Sequence, residues 1–229
     1  MDTLKDIPDF SDWPHAKSWV NNRLAAIASC DFDDKVRASF TPHVLTPQDG
    51  GDVFGYFENP EWRRFVLGTF AADWASYTTK GDRVDWARLA FVLSLFPAGF
   101  RLWTCRFADG SIAPVGYTGW YPIAKNVFDL MRNEPESITH RGVMFPLRSV
   151  SEDGAYVYLF NYSLVPQLRG TEQSRLMLKT YADDIAKVKS LGRGAVTVSG
   201  PGAKVAERFG LKLRGEMVFE GEREGVYTT

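Results

Sequence analysis

The spacing of apolar residues changes once along this chain, at Pro97, and that change limits the folds open to it. Before Pro97 apolar positions recur every three to four residues, as on a helix with one buried face; after it they tend to alternate, as on a strand. Ala16, Trp19, Val20, Leu24, Ile27 and Ala28 share one helical face behind Trp13-Pro14. Asn59-Pro60-Glu61 starts a second helix with a side chain able to cap, a proline at the first helical position and an acid at the positive end of the dipole. Trp62, Val66, Phe70, Trp74 and Tyr77 continue it, and a third helical pattern runs from about Val84 to Phe96. The stretch Thr41 to Gly55, broken by Pro42, Pro47 and QDGGD, reads as a long loop.

Beyond Pro97, FRLWTCRF from Phe100 is a strand, ADGS from Ala108 a hairpin turn, and IAPVGYTGWYPI from Ile112 the partner strand. Gly116 and Gly119 in that partner suggest a bulge or a close backbone approach. A short helix is expected over Ala124 to Arg132, a strand near Val143 to Val150, the turn EDG, and a strong strand YVYLFNYSLV from Tyr156. A helix follows from about Thr171 to Gly192, with Met177, Tyr181, Ile185 and Val188 facing inward. AVTVSG from Ala195 reads as a short buried strand, AKVAERF from Ala203 as a short helix, and LKLRGEMVF and the GVYTT tail as final strands. This order implies an α+β chain with a mixed sheet and a parallel crossover through the helix after Arg169.

Composition narrows the function classes. A formal net charge of −1 over 229 residues offers no global attraction to nucleic acid or to an anionic membrane. Lys179, Lys187, Lys189 and Arg193 are interrupted by Asp183 and Asp184, as on a solvated helix face. No stretch is long and apolar enough to span a membrane, and the acidic first thirty residues do not form a secretory signal, so a cytoplasmic location is expected. Cys30 and Cys105 have no metal-ligand spacing and read as free thiols, and with three histidines, His15, His43 and His140, no metal site is expected.

One stretch carries chemistry. In SLVPQLRGTEQSRLM, residues 163–177, an apolar strand stops at a proline and a helix opens just after Arg-Gly. The free N–H groups of that first turn, at the positive end of the helix dipole and beside Arg169, suit a phosphate or pyrophosphate, and Gly170 lets an anion approach the backbone. The same residues also suit a plain turn with a solvated arginine.

From about residue 100 onward the chain resembles the GNAT superfamily of acyl-CoA-dependent N-acyltransferases. Leu164, Pro166, Arg169 and Gly170 match, in order and spacing, its strand-to-helix pattern V-x-P-x-x-R-G-x-G-x-G/A; Gly210, Leu211 and Gly215 of ERFGLKLRGE match its K-x-G-F-x-x-x-G. The resemblance covers about the last 130 residues. It implies a mostly antiparallel twisted sheet flanked by helices, in one continuous domain: residues 98–229 as the acyltransferase core, with an enlarged, mostly helical region, 1–97, packed on the sheet.

It also implies acetyl-CoA or another acyl-CoA as donor, with Leu164 and Val165 along the pantetheine arm and Arg169, Gly170, Thr171, Gln173, Ser174 and Arg175 around the pyrophosphate. A small-molecule or peptide amine would attack the thioester directly, its carbonyl polarised by a backbone N–H at Leu164 or Val165. Asn161, Tyr162 and Ser163 are the base candidates on the strand. Two positions depart from the pattern: Glu172 stands where the family has glycine, and Ala206 where many members have the tyrosine that protonates the departing thiolate. Ser199 could substitute as the acid or cap the next helix.

Gly116 to Tyr121 would line an acceptor pocket or fill the sheet core. The extra N-terminal helices suit a lid, a homodimer face or plain packing. The alternatives to acyl-CoA chemistry are a GNAT-like binding or assembly protein without catalysis, and an acyltransferase whose donor is linked to a tRNA or a carrier protein.

Overall fold

The computed structural model describes residues 3–45, 58–77 and 82–229. Among these lie seven α-helices and seven strands: α1 (Trp13–Ser29), α2 (Asp34–Ala38), β1 (Thr41–His43), α3 (Pro60–Ser76), α4 (Trp86–Leu95), β2 (Phe100–Arg106), β3 (Ile112–Ile123), α5 (Lys125–Asn133), β4 (Ala155–Leu164), α6 (Glu172–Ala186), β5 (Ser190–Thr197), α7 (Gly200–Arg208), β6 (Lys212–Phe219) and β7 (Glu222–Thr228). The strands form one sheet in the order β1-β2-β3-β4-β5-β7-β6. β4 and β5 run parallel, joined by α6, while β1–β2, β5–β7 and β6–β7 are antiparallel. This is the α+β architecture with a mostly antiparallel mixed sheet that the sequence implies.

Local chemistry starts and stops these elements as the sequence suggests. Asn59 caps α3 by accepting from Glu61 N at 2.9 Å, with Pro60 behind it, and Asp85 caps α4 by accepting from Arg88 N at 3.0 Å. Asp12 caps α1 through His15 N.

The chain divides into two compact units, one of residues 1–118 and 162–178, the other of 119–161 and 179–229. In the first, Ile27, Phe32, Val36, Phe40, Trp103, Cys105, Val115, Leu164, Leu168 and Met177 form an apolar core. Phe40 stacks on Trp103 with ring centroids 4.7 Å apart. The fully buried Tyr117 donates to Asp73 Oδ1 at 3.0 Å, and Val84 N donates to Asp73 Oδ2, so this enclosed carboxylate has a donor on each oxygen. In the second unit, Tyr181 donates to Gly119 O at 2.6 Å, Tyr121 donates to Met144 O, and Phe128 stacks on Tyr156. Burial pushes the Tyr181 phenol well above its ordinary pKa, so it stays a neutral donor.

Four local expectations are corrected. Thr41–His43 is a strand paired with β2, not part of a loop, and the rest of that loop from residue 46 lies outside the described residues. Arg141–Val143 is a 3-10 turn and no strand follows before β4; Pro146 interrupts the segment, which is held by Tyr121 on Met144 O and by Leu147 N on Pro122 O. Helix α6 stops at Ala186 instead of near Gly192, and β5 begins at Ser190 instead of Ala195.

Candidate functional site

The turn between β4 and α6 lies within the first unit. β4 ends at Leu164, and a 3-10 turn, Pro166–Leu168, leads to Arg169. Gly170 then adopts φ +76°, the left-handed region that side chains disfavour, and a Cβ built on it meets nothing within 4 Å. The glycine is there for its backbone conformation, and it leaves that face of the turn bare.

Thr171 immediately precedes α6, where a threonine ordinarily caps the first-turn amides. Here its Oγ1 instead donates back to Leu168 O at 2.6 Å, and Ser174 Oγ donates to Thr171 O at 2.8 Å. The N–H groups of Gly170, Glu172, Gln173 and Ser174 consequently have no acceptor among the described residues. These donors converge at the positive end of a fifteen-residue helix, an arrangement suited to an oxyanion. Glu172 and Arg175 are solvent-exposed on this turn.

Arg169 is placed differently from a free phosphate-binding cation. Its Nε donates to Leu164 O at 3.0 Å and its Nη2 to Ser76 O at 2.6 Å, bracing the turn against the end of β4 and of α3. Gln173 Nε2 reaches Arg37 O at 3.3 Å and Gln167 Nε2 reaches Ile27 O at 3.2 Å, so α1 and α2 also brace it. These N-terminal supports carry no sequence signal, since their acceptors are main-chain carbonyls.

The strand leading to the turn is enclosed. Leu164 and Val165 are buried, and Val165 N already donates to Val115 O at 2.8 Å. Gly116 packs against the Ser163–Leu164 peptide so closely that a Cβ there would lie 2.5 Å from Ser163 O. Tyr162 donates to Ser174 O at 2.9 Å. Asn161 and Tyr162 are consecutive on β4, so their side chains leave by opposite faces. Every residue of β3 from Ile112 to Ile123, Trp120 included, is buried.

In the second unit, Ser199 caps α7 by accepting from Gly202 N at 3.2 Å, and Ala206 is buried within that helix. Lys179 pairs with Asp183 and Lys187 with Asp184, as expected for a solvated helix face. Elsewhere His43 Nε2 lies 2.9 Å from Thr104 Oγ1, and burial lowers its pKa. Among the described residues no group of His, Cys, Asp and Glu could hold a metal ion, and no helix is long and apolar enough to cross a membrane.

No family model and no curated protein sequence matches this chain. Its structure does match solved structures. The loading GNATL domain of CurA from Lyngbya majuscula aligns with TM-score 0.54 and 12% identity over 82% of this chain and 96% of that one. The GphF GNAT-like decarboxylase in complex with isobutyryl-CoA aligns with TM-score 0.53 and 14% identity over 71% of this chain and 93% of that one. A chain of the NatC complex bound to Gag peptide and CoA aligns with TM-score 0.52 and 11% identity over 83% of this chain and 96% of that one. The protein has the GNAT fold, and the likeness reaches well beyond its last 130 residues.

Proposed function

We propose that this GNAT-fold protein binds an acyl-CoA at the turn between β4 and α6 and acts on its thioester. The observation that carries the reading is Thr171: its hydroxyl turns back to Leu168 O and leaves the first-turn amides of α6 open to an external anion. The CoA pyrophosphate is such an anion, and Gly170 lets it approach the main chain. CoA ligands in two of the structural neighbours, GphF and NatC, support the same assignment.

In this reading Gly170, Glu172, Gln173 and Ser174 offer main-chain N–H groups to the pyrophosphate, with Thr171 and Arg175 beside them. Leu164 and Val165 line the pantetheine arm, and Arg169 keeps the turn in shape. An amine of a small molecule or peptide attacks the carbonyl carbon, and the C–S bond breaks to release CoA thiol. Tyr162, on the strand that leads to the turn, is assigned to the amine side.

A second reading is favoured by the acid positions. Ala206 carries no acid and Ser199 is engaged as a cap, so a reaction that keeps the C–S bond intact needs neither. Decarboxylation of an acyl-CoA bearing a carboxylate β to the thioester is such a reaction: the C–C bond to the carboxylate breaks, CO2 leaves, and the enolate takes a proton at carbon. One structural neighbour is a GNAT-like decarboxylase.

Calorimetric titration with acetyl-CoA and malonyl-CoA tests binding, with Thr171→Asp as the control. An aspartate there supplies the missing cap and occupies the amides itself, so the fold persists while binding falls at least tenfold. Absence of binding by the unmodified protein overturns the reading. Thiol release in the presence of amines identifies transfer; conversion of malonyl-CoA to acetyl-CoA without thiol release identifies decarboxylation.

A further inference from the structure

Ser163 is 2% exposed, and its Oγ is wholly enclosed with no hydrogen-bond partner among the described residues. A hydroxyl shut away from water without a partner is rare, because it forfeits its hydrogen bonds to solvent and gains none. An alanine would fill the same place without that cost. Ser163 directly precedes Leu164 and Val165, the pair assigned above to the pantetheine arm.

The neighbouring backbone sharpens the point. The resemblance to the GNAT superfamily implies that an N–H of Leu164 or Val165 polarises the thioester carbonyl, but Val165 N is committed to Val115 O at 2.8 Å. One of the two main-chain donors is therefore already used. Tyr162, next to Ser163, is committed to Ser174 O. Since Tyr162 and Leu164 lie toward α6, where Leu164 joins Leu168 and Met177 in the apolar core, strand alternation sends Ser163 to the opposite face. Gly116, lacking a Cβ, lets the Ser163–Leu164 peptide sit close against β3, which fixes the position of this hydroxyl.

We infer that Ser163 Oγ is a hydrogen-bond donor to the thioester carbonyl oxygen of the bound acyl-CoA. The inference rests on the acyl-CoA reading and holds for either reaction. In acyl transfer the amine lone pair forms the C–N bond while the carbonyl π electrons move onto oxygen; those electrons return as the C–S bond breaks, and the proton lost by the amine nitrogen ends on the departing thiolate, giving amide and CoA thiol. In decarboxylation the electron pair of the breaking C–C bond enters the enolate, whose negative charge rests on the same oxygen. In both, Ser163 keeps its proton and donates to the oxygen as charge develops, so the serine is unchanged at the end of the cycle.

The test combines calorimetry with infrared difference spectra of acetyl-CoA labelled with 13C at its thioester carbonyl, on the unmodified protein, Ser163→Ala and Ser163→Thr. The expected result is a carbonyl band shifted to lower wavenumber on binding, lost in Ser163→Ala, restored in Ser163→Thr, with affinity changed less than threefold by either substitution. The reaction rate falls about 100-fold in Ser163→Ala. The melting temperature of unliganded Ser163→Ala is unchanged or higher, because the serine has no partner to lose. A band equally shifted in Ser163→Ala, or a lowered melting temperature with an unaltered band, overturns the assignment. If the unmodified protein fails to bind acetyl-CoA in the calorimeter, the acyl-CoA reading itself has failed and the assignment falls with it.

Discussion

Arg169 Nη2 lies 2.6 Å from Ser76 O, so an arginine at the mouth of the candidate cofactor turn grips the last residue of α3. The C-terminal end of a helix is the negative end of its dipole and carries unpaired carbonyls, which makes it a favourable partner for a guanidinium. The same side chain holds Leu164 O through Nε.

Removing this fork should therefore loosen the turn before it removes any charge from a ligand. Arg169→Ala is expected to cost about 1.5–3 kcal/mol of stability, the range for hydrogen bonds involving a charged group, measured by urea denaturation. Arg169→Lys, which cannot span both carbonyls, should recover less than half of the loss.

Glu172 gives a prediction of opposite sign. Its exposed carboxylate stands in the first turn of α6, where it favours the helix but repels an incoming pyrophosphate. Glu172→Gln is expected to tighten acyl-CoA binding two- to fivefold at low salt, with the gain shrinking as ionic strength rises. Calorimetry at two salt concentrations checks both statements.

Gly116 should tolerate no side chain. A Cβ at that position would sit 2.5 Å from Ser163 O and 3.0 Å from Leu164 Cδ1, and the first of these is main chain that cannot step aside. Gly116→Ala is expected to lower stability by about 1–3 kcal/mol, read as a fall in melting temperature.

Cys105 supplies an alkaline prediction. Burial is the main cause that pushes its thiol up from 9.0 to about 12, with Cys30 nearby adding to it and a hydrogen bond from Ser39 opposing it. Because the folded-state value is the higher one, the folded protein holds the proton where the unfolded chain has released it. Stability from this group is complete below pH 9 and is lost as pH rises from about 9 to about 12. Cys105→Ala should flatten that part of the stability profile, measured against the unmodified protein by denaturant titration at each pH.

Much of the architecture was legible because its signals are local. The change of period at Pro97, the Asn59-Pro60-Glu61 start and the strand-proline-Arg-Gly-helix order each depend on neighbours in sequence, and each stands in the structure. The misreadings have tertiary causes. Gly192 and Gly194 look like helix-ending or loop residues, yet they lie in β5 because Phe128 and Met131 pack where their side chains would be: a Cβ on Gly192 would lie 2.6 Å from Phe128 Cζ, and one on Gly194 2.9 Å from Met131 Cε. Thr-Pro-His has no alternation to read and is a strand only because β2 pairs with it. At the candidate site the pattern identified Arg169 and Thr171 by type, but whether a hydroxyl caps forward or bonds backward is decided by three-dimensional packing. Ser163 stood out in the sequence only by type, as a base candidate; its enclosure without a partner is a tertiary property that no sequence pattern carries.

The pairing of β1 has a consequence for assembly of the chain. The β6–β7 hairpin closes through Glu220 and Gly221, both at positive φ, so its two strands meet almost as soon as both exist. Thr41 and its neighbours find their partners, Thr104 to Leu102, only after α3 and α4 have been drawn into the intervening loop. Closing so long a loop carries an entropic cost before any ladder bond repays it, and such non-local pairing slows folding. During synthesis β1 emerges long before β2 and has to wait unpaired. Its three-residue length, with Pro42 at the centre unable to donate, makes it a poor template for a stranger's strand in that interval.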